Sequence, residues 1–408
     1  MKKSTHIYKE NNPNKKNCLM ILPRPIFPVL GGYSNKNYNL IPSLSNAYNL
    51  HLVVLSTCNF TKEEEAYYEK YICSWTGYVL SPYLCWIKSA LYLLIGKPIQ
   101  TGYFYCSKID DDVEKLSQNM DIVIGNLVRT IPYLRNVPDT KIRIFDMVDS
   151  IGINYRNSYS KTTNFFWKEI YKIESERLIR YERLCINKYD MTFFVNKQEE
   201  ENYQTYGKTA WLPHGVKTEL FTYTKYDPRY KKSVVFIGKM NYQPNVEAVK
   251  WYINHVHVKL YSRVKLIVVG AYPTREILEL SQQYKNIEIT GYCNDPYIYL
   301  KSCLAIIAPM QTGGGIQNKV LEGMAIGNIN IISPLAAKPI IGAHDMEHFF
   351  VASKAEEYVF LINELLKDKN KYIYIAYNAR SFIKTNFTWD AYNKLYVKRI
   401  NEIVVSRK

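Results

Sequence analysis

A chain of 408 residues, 47% hydrophobic and 22% charged, is long enough for two domains, or at most three, each burying its own core, which excludes a disordered protein. Its 53 Lys and Arg against 37 Asp and Glu leave a formal charge of +16, spread over both halves, so no basic arm or tail accounts for it. That balance suits phosphate-bearing substrates, an anionic membrane surface or a nucleic acid, and charge alone does not choose among them.

In chain order, residues 1–17 are polar, and the apolar stretch that follows is broken by Pro23, Pro25 and Pro28, a pattern unlike a signal peptide. No run approaches ~18 apolar residues, so no transmembrane helix is expected and the protein is read as cytoplasmic. A first strand is predicted at 18–22. The loop PRPIFPVLGG, a helix near 37–48 and a strand at 51–57 follow. Residues 78–104 pack Trp, Tyr and aliphatic side chains around Lys88 and Lys97, a composition shared by an interfacial helix and by a buried one. Asp110, Asp111 and Asp112 resemble a metal-binding DxD, but they precede VEKLSQN and read better as the acidic start of a helix. Strands are predicted at 122–125, 141–146 and 192–196, with a long charged helix over 166–188. A boundary falls near 206–213, where YGKTAWLPHG interrupts the pattern with two Gly and a Pro. Beyond it, short apolar runs at 234–238, 265–270, 287–291, 304–309 and 330–333 alternate with helix-length segments. This alternation predicts α/β domains with parallel sheets.

The densest chemical signal is APMQTGGGIQNKVLEGMAIGN at 308–328, a strand running into Gly313, Gly314 and Gly315 and then a helix. Three glycines let a ligand approach the backbone, and the helix start presents unpaired N–H groups, which together make an anion cradle. Lys319 adds a positive charge in the first helical turn. Glu322, one turn on, suits hydrogen bonds from sugar hydroxyls better than a phosphate contact. A GxGxxG fingerprint and a Walker A motif are both absent, and the eight Cys form no C-x-x-C pair, so neither dehydrogenase, P-loop nor zinc or redox chemistry is expected. His255 and His257 do not make a metal site, and no metal is assigned.

FIGKMNYQPNVEAVKWY, KLIVVG, ITGYCNDPYIYL and the Gly-rich segment, with PHGVKTELF before them, resemble the donor half of glycosyltransferase family 4 enzymes. Upstream, IFDMVDSIGINYR, IYKIESERLIRYERL and GGYSNKNYNLIPSL resemble bacterial exopolysaccharide and O-antigen sugar transferases. The resemblance implies an α/β, GT-B architecture of two Rossmann-like domains facing across a cleft. It gives an acceptor-side domain at 1–207, a donor domain at 208–385 and a final helix at 386–408 crossing back. It implies a retaining transferase that moves a sugar from a UDP- or GDP-linked donor, a co-substrate rather than a cofactor, to a lipid-linked saccharide. The inner face of the cytoplasmic membrane is then a possible surface partner, and nucleic acid is not. Donor binding falls to Gly238, Lys239, Gly313, Gly314, Gly315, Ile316, Lys319 and Glu322. Catalytic work falls to Asp149, Lys239 and Lys319, and the acceptor or phosphate side to Gly31, Gly32, Asp146 and His214. Two departures stand out: Gly315 replaces the first of two family glutamates, and Pro244 stands where a second basic residue is usual. The rival readings are a nucleotide-sugar epimerase of similar fold and a catalytically silent partner subunit.

Overall fold

The structure is a computed structural model that describes residues 1–29, 31–159, 165–260, 263–313 and 315–407. The chain divides into two units, Met1–Pro213 with Tyr392–Lys408, and His214–Ala391.

The first unit contains β1 (Lys2–Ile7), β2 (Asn17–Leu22), β3 (Asn49–Ser56), β4 (Ser74–Val79), β5 (Ile122–Asn126), β6 (Ile142–Val148), β7 (Met191–Phe194) and β8 (Thr209–Trp211). They form one sheet in the order β1-β4-β3-β2-β5-β6-β7-β8. Only β1 runs antiparallel to its neighbour. The central strands read as near-continuous apolar runs because both faces of a parallel sheet are covered; in β2, Cys18 through Leu22 are all buried. Sequence patterning misses β1, whose residues are nearly all exposed and show no apolar alternation. Pairing with the edge of β4 creates it, helped by the His6 ring stacked 5.2 Å from Trp75 and by an ion pair from Lys3 to Asp112 at 2.8 Å.

The segment 78–104 is not one helix. Tyr78 is buried in β4, a helix spans Pro82–Leu94 with proline in its first turn, and a second, short one spans Ile99–Phe104. Asp110 and Asp112 lie on the helix Ser107–Ser117, where Asp110 pairs with Arg135 at 2.6 Å and Asp112 accepts from Tyr78 Oη at 2.6 Å as well as from Lys3. The charged helix Phe165–Lys188 forms as its composition predicts.

The second unit contains β9 (Ser233–Ile237), β10 (Lys265–Val269), β11 (Ile287–Gly291), β12 (Ala305–Ala308), β13 (Asn330–Ile332) and β14 (Phe350–Val351). All are parallel, in the order β11-β10-β9-β12-β13-β14. The helix Trp389–Ser406 ends the chain, and from Tyr392 onward it belongs to the first unit.

Candidate functional site

In the second unit, β9 and β12 are neighbours although two strands separate them in sequence. A strand-order reversal of this kind is where doubly wound sheets bind ligands, beyond the carboxyl ends of the strands. The backbone after β9 lies close against that after β10: a Cβ at Gly270 would lie 1.8 Å from the Gly238 carbonyl oxygen, and one at Gly238 would lie 2.6 Å from Asn245 Nδ2. The loop after β9 and the segment after β12 meet at one side chain. Asn245, in the first turn of the helix Gln243–His255, ties both loops together. Its Nδ2 donates to the Lys239 carbonyl at 2.9 Å, and its Oδ1 accepts from Lys319 Nζ at 2.8 Å. Sequence reasoning passed over Asn245; its place just after Pro244 at a helix start was the available signal.

Gly313 and Gly315 both adopt left-handed backbone conformations, φ 100° and 74°, which a side chain would strain. Gly314 lies outside the described residues. Thr312 Oγ1 donates to the Glu247 carboxylate and anchors this loop to the helix after β9, while Ile316 packs on the core. The loop delivers the chain into the helix Asn318–Ala325, whose N-terminus has no side-chain cap.

Lys319 is only 8% exposed. Besides Asn245, its ammonium donates to Gln317 Oε1 at 3.1 Å and sits 5.0 Å from the Phe236 ring centroid. Burial lowers its pKa to about 7, partly opposed by the charge of Glu322. Glu322 is half-buried, and burial pushes its carboxyl up to about 7 against the pull of Lys217 and Lys319 and a hydrogen bond from Tyr297. An amine and a carboxyl one helical turn apart are thus both poised near neutrality, and an arriving anion would draw Lys319 fully into its cationic form. Lys239 is exposed at the end of β9, its ammonium 5.5 Å from the Tyr272 ring centroid.

The remaining predicted residues separate from this group. Gly31, with φ 87°, precedes the helix Gly32–Ala47, and among the described residues no atom beyond its chain neighbours lies within 4 Å of where its Cβ would be. From that helix Lys36 pairs with Asp146 on β6, at 0% and 1% side-chain exposure. Asn126 Nδ2 at 3.1 Å and Tyr396 Oη at 3.0 Å also donate to Asp146. This corrects the expectation for Asp146: its carboxylate is enclosed and committed to holding strands and helices together, not presented to an acceptor.

Asp149 is half-buried and follows Val148, a β-branched residue held at φ 67°. Such a conformation is strained and persists only where the surroundings enforce it. They do so here through two buried glutamates that the sequence did not single out. Glu199 accepts from the Ser150 amide at 2.6 Å, and Glu182 accepts from Ser150 Oγ at 2.7 Å and from the Gly152 amide at 3.1 Å. Burial raises the Asp149 carboxyl, with Lys36 opposing. His214 is buried in the second unit, its ring 5.5 Å from that of Trp389.

Residues 231–368, which contain the whole Lys319–Glu322 group, match the family described as Glycosyl transferases group 1. A Klebsiella pneumoniae relative, an uncharacterized 44.6 kDa protein in the cps region, is 24% identical over 287 residues, which cover 67% of this chain and 72% of that one. Among solved structures, Anabaena HepE in complex with UDP superposes with a TM-score of 0.68 at 11% identity, covering 95% of this chain and all of that one. Sucrose-phosphate synthase from Thermosynechococcus elongatus gives 0.66 at 14% identity, over 96% and 100% of the two chains. The lipopolysaccharide outer core galactosyltransferase WaaB gives 0.60 at 13%, also over 96% and 100%. The chain thus shares the GT-B fold of these structures, and residues 231–368 are similar to a group 1 glycosyl transferase domain. In the terms of that fold each unit is Rossmann-like, and the group 1 match spans β9 to β14 of the second unit.

Proposed function

We propose that this protein is a retaining glycosyltransferase of the family 4 type. It transfers a sugar from a UDP- or GDP-linked donor to a hydroxyl of a lipid-linked saccharide during assembly of a surface polysaccharide. The observation that carries the reading is the Lys319–Glu322 pair at an uncapped helix start beside the β9 and β12 loops. HepE has been crystallised with UDP and with UDP-glucose, and the Klebsiella relative comes from a cps region, both in keeping with this donor class and setting.

In this reading the diphosphate lies against the helix N-terminus, with Lys319 and Lys239 neutralising the charge that grows as the bond from C1 to the phosphate oxygen breaks. Glu322 accepts hydrogen bonds from the ribose hydroxyls. The incoming hydroxyl oxygen bonds to C1 on the face that the diphosphate leaves, and the departing phosphate oxygen takes its proton, so no protein nucleophile enters the step. The acceptor-orienting role is assigned to Asp149, next to the strained Val148.

Incubating the protein with a panel of UDP- and GDP-sugars tests this. A donor should raise the melting temperature by mass action, and the product formed on a saccharide acceptor should keep the anomeric configuration of the donor by NMR. Inverted product would overturn the retaining mechanism, and no shift with any nucleotide sugar would overturn the donor class.

A further inference from the structure

The helix Pro82–Leu94 turns an apolar face to solvent. Tyr83, Trp86, Leu91 and Leu94 are 73%, 62%, 53% and 81% exposed, and among its residues only Cys85 and Ser89 are buried. Soluble proteins rarely leave such a patch bare without a partner for it. From 82 to 106 the chain contains no Asp or Glu, while Lys88 and Lys97 flank the patch.

The patch continues onto the helix Phe165–Lys188. Arg177 Nη1 donates to the Leu93 carbonyl at 2.8 Å, and Glu174 accepts from the Gln100 amide at 3.1 Å, so the elements adjoin. On this second helix Ile173, Arg180 and Leu184 follow one another at i, i+7 and i+11, which places them on one stripe; Ile173 and Leu184 are exposed. Arg180, Arg183 and Arg156 line an open pocket of about 630 Å³ beside Leu184, with Glu176 as the one carboxylate in its lining. Arg183 stacks on Tyr206 at 4.7 Å, and none of the three arginines makes an ion pair among the described residues.

We infer that this face docks the protein on an anionic bilayer, with the exposed aromatic and aliphatic side chains entering the interface and the arginine pocket receiving a lipid phosphate. Apolar side chains beside unpaired guanidinium groups complement a surface of acyl chains and phosphate headgroups, and the surrounding +16 charge adds long-range attraction. Among the described residues no helix is long and apolar enough to cross a membrane, so the contact is peripheral.

The test is co-sedimentation of the full chain with phosphatidylcholine vesicles, with and without phosphatidylglycerol. Wild type should bind the anionic vesicles at least tenfold more tightly, and raising salt should weaken binding. Trp86→Ser with Leu94→Ser, and separately Arg180→Gln with Arg183→Gln, should each lower affinity about tenfold or more. Melting temperature and nucleotide-sugar binding should stay unchanged in both, so failure here is distinct from failure at the donor site. If the apolar double variant melts lower, Leu94→Ser alone, at the most exposed of the four positions, decides. Inorganic phosphate that releases the protein from vesicles completely at millimolar concentration would assign the pocket to a soluble phosphate and overturn the lipid role. Absence of vesicle binding by wild type, or concentration-dependent dimers abolished by the apolar variant without vesicle binding, would overturn the proposal in favour of a protein partner.

Discussion

Replacing Lys319 with Met should move stability and activity in opposite directions. Burial lowers the folded-state pKa of this amine from 10.5 to about 7. Because the folded value lies below the unfolded one, the unfolded chain holds the proton more tightly. The folded state therefore carries a penalty that is complete below about pH 7 and fades as pH rises toward 10.5. At neutral pH it amounts to about 4–5 kcal/mol as an upper bound. Methionine fills similar space without charge. It leaves Asn245 Oδ1 without its 2.8 Å donor, returning roughly 1–3 kcal/mol of the gain. Glu322 limits any further cost by taking up a proton. The net stabilisation expected is about 1–3 kcal/mol at pH 6.5, a rise of roughly 3–10 °C for a unit of this size. Turnover should fall by about 2–4 kcal/mol of barrier, the scale of losing one preorganised charge at a leaving group. Scanning calorimetry and a donor-saturated transfer assay on one preparation measure both. A variant that melts lower and turns over like wild type would refute the assignment of Lys319 as a buried, functionally retained cation.

Donor affinity should peak near neutrality, because Glu322 loses its charge as pH falls through about 7 and Lys319 loses its own as pH rises through about 7. Glu322→Gln should weaken nucleotide-sugar binding by roughly 1.5–3 kcal/mol and flatten the acid limb alone, both readable by isothermal titration. Lys239→Ala, at an exposed position, should lower turnover by about 2 kcal/mol with no change in melting temperature. Lys36→Met should cost about 3–5 kcal/mol in chemical denaturation by stranding buried Asp146, and Lys36→Met with Asp146→Leu should recover most of that loss.

The donor-side arrangement was largely local in sequence. A strand, three glycines, an uncapped helix start, Lys319 and Glu322 all fall within 21 consecutive residues, and helical periodicity puts the last two one turn apart. The apolar runs of the second unit likewise became strands, because strands covered on both faces leave a continuous signature. What depended on residues far apart was invisible. β1 exists only through its pairing with β4, since nothing in its own pattern buries a face. Asp146 could not be told from a substrate-facing carboxylate until Lys36 and Tyr396, 110 and 250 residues away, closed over it. Glu182 lies in the helix Phe165–Lys188 and Glu199 in the helix Lys197–Tyr203, and the fold alone aims both at Ser150. The segment 78–104 was equally compatible with burial and exposure, because composition sets how apolar a helix is but not which of its faces finds a neighbour. Tertiary packing left Trp86 and Leu94 bare.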